Sequence, residues 1–182
     1  MGVIVVTGIP GVGKTTVMKK AAEGMDIEFV TMGTVMFEIA SEEGLVKDRD
    51  DMRKLTLEQQ KELQIKAAKK VGSMGNVILD THCSIKTPKG YMPGLPEWVV
   101  KAINPTSIVL VEADPKEIFD RRANDPTRNR DPDSEEQIAE HQMINRSAAM
   151  AYAALTGAAV KIVFNHDNAL DDAVNQASPV LK

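Results

Sequence analysis

Short apolar runs punctuate the chain at residues 3–6, 27–30, 77–79, 108–111 and 160–164. They are rich in β-branched residues and mostly continuous rather than alternating, the pattern of parallel strands covered on both faces. Helical signals fill the polar-rich stretches between them. Residues 34–43 run into Gly44, a residue suited to closing a helix. Thr56 and Gln59 form a capping box ahead of a long helix, with Glu58 and Lys61, and Glu62 and Lys66, at supporting spacings. Asp114, Pro115 and Glu117 read as an N-cap, a proline at the first helical position and an acid at the third. Ser134 and Gln137 make another capping box, before an alanine-rich helix reaching about residue 155. Strands alternating with helices predict one α/β domain over residues 1–182: a five-stranded parallel sheet with right-handed crossovers and helices on both faces. Two stretches break the rhythm. Residues 84–96 carry Pro88, Gly90, Pro93, Gly94 and Pro96 and read as a long irregular loop, beyond the carboxyl end of the third strand where ligands bind in such sheets. Residues 124–133 are polar and contain proline, and read as a short lid.

Between the first apolar run and a helix-forming stretch lies Gly8-Ile9-Pro10-Gly11-Val12-Gly13-Lys14-Thr15-Thr16. This is the strand, G-x-x-x-x-G-K-[ST], helix context of a phosphate-binding loop. Glycines let successive N–H groups turn inward as an anion cradle, and the helix N-terminus adds its positive end. Lys14 is expected to reach the β- and γ-phosphates, and the Thr15 hydroxyl to ligate Mg²⁺. A chance match in a Gly-rich turn is the competing explanation, and the strand and helix on either side weigh against it. The pattern points to a nucleoside triphosphate.

Asp80 ends the third run, where an acid holds Mg²⁺ or its water shell in proteins with this loop; a turn or cap aspartate is the alternative. His82 and Cys83 follow, the first assigned no role and the second read as a small buried hydrophobe. Four of the seven arginines, Arg121, Arg122, Arg128 and Arg130, fall within ten residues, although lysines outnumber arginines about two to one. A charge cluster is usually a solvated face. Arginine, however, is the residue suited to fixed bidentate phosphate recognition, and on a segment opposite the loop it can close over a transferring phosphoryl group. Arg121, Arg128 and Arg130 are therefore read as catalytic, while Arg122 could as easily face solvent. Arg53 sits in a very acidic neighbourhood and reads either as salt-bridged or as a phosphate ligand.

A net charge of −4 gives no electrostatic reason for a nucleic-acid or anionic-membrane partner. A single cysteine excludes an intrachain disulfide framework, and no apolar run approaches a membrane span. No secretory signal pattern precedes the first strand, so a cytoplasmic location is expected. A guanine-nucleotide switch would carry Asp-x-x-Gly after the third strand and Asn-Lys-x-Asp near the last ones. Here Asp80-Thr81-His82-Cys83 and Asn165-His166-Asp167-Asn168 stand there, and the second lacks the lysine. A small kinase with a triphosphate on the loop and an acceptor beneath the segments after strands two and three is the leading reading. A nucleotide-dependent switch with slow ATPase activity is the alternative.

The loop with proline at its third position is typical of nucleoside-monophosphate kinases. Asp48-Arg49-Asp50-Asp51-Met52-Arg53-Lys54-Leu55, Asp80-Thr81-His82, the Pro/Gly stretch from Thr87 to Pro96, Glu112-Ala113-Asp114-Pro115 and Thr127-Arg128-Asn129-Arg130 resemble the archaeal adenylate kinases over nearly the whole chain. The resemblance implies the P-loop kinase fold and the Mg²⁺-dependent reaction ATP + AMP ⇌ 2 ADP. It also implies an AMP-binding insert about 31–72, a short lid about 122–133, no zinc and a homotrimer. By position it implies Gly8 to Thr16 on the ATP phosphates, and Thr31, Gly33, Arg53 and Gly90 on the AMP side. Arg121, Arg128 and Arg130 would cover ATP, with Arg146 a further candidate. Because base selectivity rests on loop contacts, a kinase for UMP or CMP remains the nearest alternative.

Overall fold

The computed structural model describes residues 2–125 and 133–182. In chain order its elements are β1 (Val3–Thr7), α1 (Lys14–Ala21), β2 (Glu28–Thr31), α2 (Met32–Glu42), a 3₁₀ turn (Arg49–Lys54), α3 (Leu57–Gly72) and β3 (Val77–Asp80). Then follow β4 (Ser84–Thr87), β5 (Gly90–Pro93), α4 (Glu97–Ile103), β6 (Ser107–Glu112), α5 (Pro115–Ala123), α6 (Glu135–Thr156), β7 (Ala159–Phe164), α7 (Leu170–Ala177) and a closing 3₁₀ turn (Ser178–Leu181). The main sheet is five-stranded in the order β2-β3-β1-β6-β7, and every pairing in it is parallel. All five predicted strands are present, each within a residue or so of the expected bounds.

The apolar runs build two cores because successive side chains on a strand point to opposite faces. Val3 and Val5 of β1 pack with Leu63 and Val71 of α3 and Val100 and Ile103 of α4. Ile4 and Val6 face the other way, onto Val17 and Met18 of α1, Ile118 of α5 and Val163 of β7. Each such side chain fully removed from water contributes about 1.5–3 kcal/mol before the entropy of ordering is counted. The edge strands β2 and β7 are more exposed than the three central ones. Thr56, Asp114 and Ser134 all form the capping boxes read from the sequence.

Residues 84–96 differ from the irregular loop that was expected. β4 and β5 form an antiparallel hairpin, with Ser84 opposite Pro93 and Thr87 opposite Gly90. The turn is made by Pro88 and Lys89. Thr87 Oγ1 accepts from the Lys89 N–H at 3.2 Å and donates to the Gly90 carbonyl at 2.8 Å. The prolines fall at the turn and at the strand end, where no ladder donor is required. Gly94 then passes so close to the link between β3 and β4 that a Cβ there would lie 2.0 Å from the His82 carbonyl. Among the described residues, no helix is long and apolar enough to cross a membrane.

Candidate active site

β1 lies mid-sheet, so the loop after it emerges beside the end of β3. Val6 is in register with Asp80, and the Thr81 N–H donates to the Val6 carbonyl at 3.1 Å. That pairing sets Asp80 against the start of α1. Its carboxylate accepts from the Thr15 hydroxyl at 3.0 Å and lies 3.3 Å from Lys14 Nζ. Asp80 is 8% exposed, so this charge is held by its partners rather than by water. Ile9 and Val12 are buried and pin the loop to the core, while Pro10, Gly11, Gly13, Lys14 and Thr15 stay half-buried at its mouth. Gly8 starts the loop and Thr16 is exposed at its rim. Gly13 has φ +82°, a left-handed conformation that favours glycine.

From this mouth a cleft of about 750 Å³ runs toward α2 and the 3₁₀ turn, lined by Lys14, Thr15, Thr31, Gly33, Arg49 and Asp80 among others. Thr31 and Gly33 thus share one cavity with the phosphate loop. Arg53 is exposed outside that lining, and Arg49 supplies the arginine of the wall. Arg49 Nη2 donates to Thr34 Oγ1 at 2.9 Å. The cause is the three-residue period of the 3₁₀ turn. Met52 packs against the core, residues 49 and 52 share the inner face, and Arg53 is turned outward. That apolar Met52 is the sequence signal by which Arg49 could have been found. Gly90 is exposed in the hairpin turn and is not part of either cavity wall.

A second cavity, about 680 Å³, lies between Pro10 and the hairpin, with Lys86, Arg122, Asp133 and His141 on its walls. Arg122 does not face solvent as the sequence left open. Its Nε donates to the Pro10 carbonyl at 2.8 Å and its Nη1 to Asp133 at 2.9 Å, and Lys86 meets the same carboxylate at 2.6 Å. Arg121 turns to the outer flank of the phosphate loop, donating to Asp167 at 2.7 Å, the Asn165 carbonyl at 2.8 Å and the Val12 carbonyl at 3.5 Å. Arg146 pairs with the buried Glu112 at the end of β6. Arg128 and Arg130 lie outside the described residues.

His82 reaches both cavities and stays exposed at their junction. His141 is buried against Ser84 Oγ at 3.1 Å, and that burial lowers its pKa. Burial pushes the Cys83 thiol up to about 12, so it is inert packing. Asn165, dismissed in the sequence as part of an incomplete guanine motif, donates through Nδ2 to the Val12 carbonyl at 2.9 Å.

A family model described as an AAA domain matches residues 7–139. The chain is 55% identical to an adenylate kinase of Methanocaldococcus jannaschii, covering 99% of this chain and 98% of that one. It is 53% identical to an adenylate kinase of Methanothermobacter thermautotrophicus, with both chains fully covered. Among solved structures, a shikimate kinase from Bacteroides thetaiotaomicron aligns with TM-score 0.63 at 14% identity over 99% of this chain and 98% of that one. A gluconokinase from Sinorhizobium meliloti aligns with TM-score 0.54 at 15% identity over 99% and 91%. At such identities the two structures speak to the fold, which they share with this chain.

Proposed function

The chain belongs to the adenylate kinase family, and on that premise we propose how its residues divide the work of the reaction ATP + AMP ⇌ 2 ADP. The observation that carries the assignment is the single cleft joining Lys14, Thr15 and Asp80 to Thr31, Gly33 and Arg49. A donor phosphate cradle thereby opens directly onto an acceptor pocket. Gly8 to Thr16 hold the ATP phosphates, with Lys14 on the transferring group. The wall of the insert, about 31–72, receives AMP, with Arg49 the arginine placed to meet its phosphate; Arg53 and Gly90 serve there only if their segments move inward. Arg121 supports the donor loop from its flank. Arg128 and Arg130, in a lid about 122–133, cover the donor phosphates, a role supported by residue type and family resemblance.

Mg²⁺ fits this site. The Thr15 hydroxyl and Asp80 carboxylate lie within hydrogen-bond distance of each other, and hard oxygen donors with one carboxylate suit an ion that is shared with substrate phosphates. Thr15 would hold it directly and Asp80 through water, and when bound it neutralises charge on the phosphates. The acceptor is already an anionic oxygen, so no strong general base is needed. Catalysis rests on in-line positioning, on the Lys14 and arginine charges, and on keeping water from competing as acceptor. A homotrimer is carried by the family resemblance.

The test is ADP formation from Mg-ATP with each monophosphate in turn. Rapid turnover dependent on AMP is expected. Equal or faster turnover with UMP or CMP would overturn the assignment of the acceptor, and hydrolysis indifferent to any monophosphate would overturn two-substrate transfer.

A further inference from the structure

The stretch after β7 is stitched to the phosphate loop. The Asn165 N–H donates to the Glu112 carbonyl at 2.8 Å, extending the β6–β7 pairing one residue beyond Phe164. The side chain, on a residue only 9% exposed, then crosses to the loop and donates to the Val12 carbonyl at 2.9 Å. Its own carbonyl accepts from Arg121 at 2.8 Å, and Asp167 docks on α5 through Arg121 and Glu117. Contact with the loop is close enough that a Cβ on Gly13 would lie 2.5 Å from Asn165 Nδ2.

We infer that Asn165 is a positioning residue for phosphoryl transfer, holding the Val12–Gly13 peptide so that the Gly13 N–H points at the donor phosphates. The peptide unit is planar and trans, so its C=O and N–H point in opposite directions. Drawing the Val12 carbonyl outward to an amide donor turns the Gly13 N–H inward, into the cradle. A donor fixed in place before the nucleotide arrives lowers the cost of ordering the loop around an anion. The side chain must donate to do this. An aspartate of the same shape would set an anionic oxygen against the Val12 carbonyl and push the peptide away from its working orientation.

This inference rests on the reading of the loop as the ATP site, and the experiment separates the two. KM for ATP and for AMP, and kcat, are measured for the wild type, Asn165→Ala and Asn165→Asp, with thermal melts of each. The expected result is a rise in the ATP KM of about tenfold for Asn165→Ala, the scale of one lost buried hydrogen bond, and a larger rise for Asn165→Asp. The AMP KM should stay within about twofold of wild type, because the acceptor wall is built from α2 and the 3₁₀ turn. Asn165→Asp with the wild-type ATP KM would overturn the inference. So would a parallel rise of both constants, which would mean general loosening. A wild type without AMP-dependent ADP formation would instead overturn the reading beneath it. If neither variant folds, solvent exchange of the Asn165 side-chain NH₂ in the wild type decides: slowed exchange supports the inference, and exchange as fast as that of an exposed asparagine overturns it.

Discussion

Lys14 and Asp80 face each other at 3.3 Å across the mouth of the phosphate loop, and the Thr15 hydroxyl completes the group. The carboxylate holds the ammonium and the hydroxyl that the phosphates require, so the cation does not wander on its flexible stem. Replacing Lys14 with alanine removes a charge aimed at the transferring group. The expected loss in kcat is roughly 10²–10³-fold or more, on the scale of one preorganised electrostatic stabiliser, with the folded state retained. Steady-state kinetics beside a circular-dichroism melt checks this, and activity within tenfold of wild type would refute the role given to Lys14. These residues were legible in the sequence because their meaning depends on a few neighbours along the chain. Arg49 was signalled only indirectly, by the apolar Met52 three residues on, and Asn165 not at all. The first depends on which way a six-residue turn rolls, and the second on a hydrogen bond between residues 153 positions apart.

Elements announced their starts more clearly than their partners. In α3, Thr56 Oγ1 accepts from the Gln59 N–H at 3.2 Å and Gln59 returns the bond at 3.0 Å, satisfying two donors that a helix leaves unpaired at its start. Thr56→Ala should cost about 1 kcal/mol of stability, read as a lower midpoint in urea with an unchanged slope. Since α3 packs on both α2 and α4, frayed ends there would also disturb the acceptor wall. Capping boxes are legible because both partners lie within four residues. The β4–β5 hairpin was hidden for the opposite reason: its prolines and glycines mark turns and breaks, and its short ladder is defined only by which residue lies opposite which. α4 and α7 are less legible because they are short: α7 carries apolar residues at 170, 173, 174 and 177, a helical period, but over only eight residues, and α4 runs for seven with apolar residues all round.

For the whole molecule, the parallel order of the sheet was implied by strands alternating with helices, whereas which strands lie side by side emerges only from packing. The same packing fixes how stability responds to acid. His141, buried against Ser84, has its pKa lowered below 6.5, chiefly by that burial. The unfolded chain therefore binds a proton that the folded one refuses as the pH falls below about 6.5, and stability declines from there downward through the lowered value. The melting temperature should be lower at pH 5.5 than at pH 7.5, and His141→Gln, which can still hydrogen-bond to Ser84, should narrow the difference; an equal or wider difference would assign the decline to other groups. One consequence of the strand order concerns time. β1 is flanked by β3 and β6, so during synthesis it waits unpaired on one side until residue 80 has emerged and on the other until residue 112. At ribosomal rates the second wait lasts on the order of 5–20 s, and the brace from Asn165 comes later still. A nascent chain therefore has no finished nucleotide cradle until residue 165 has emerged.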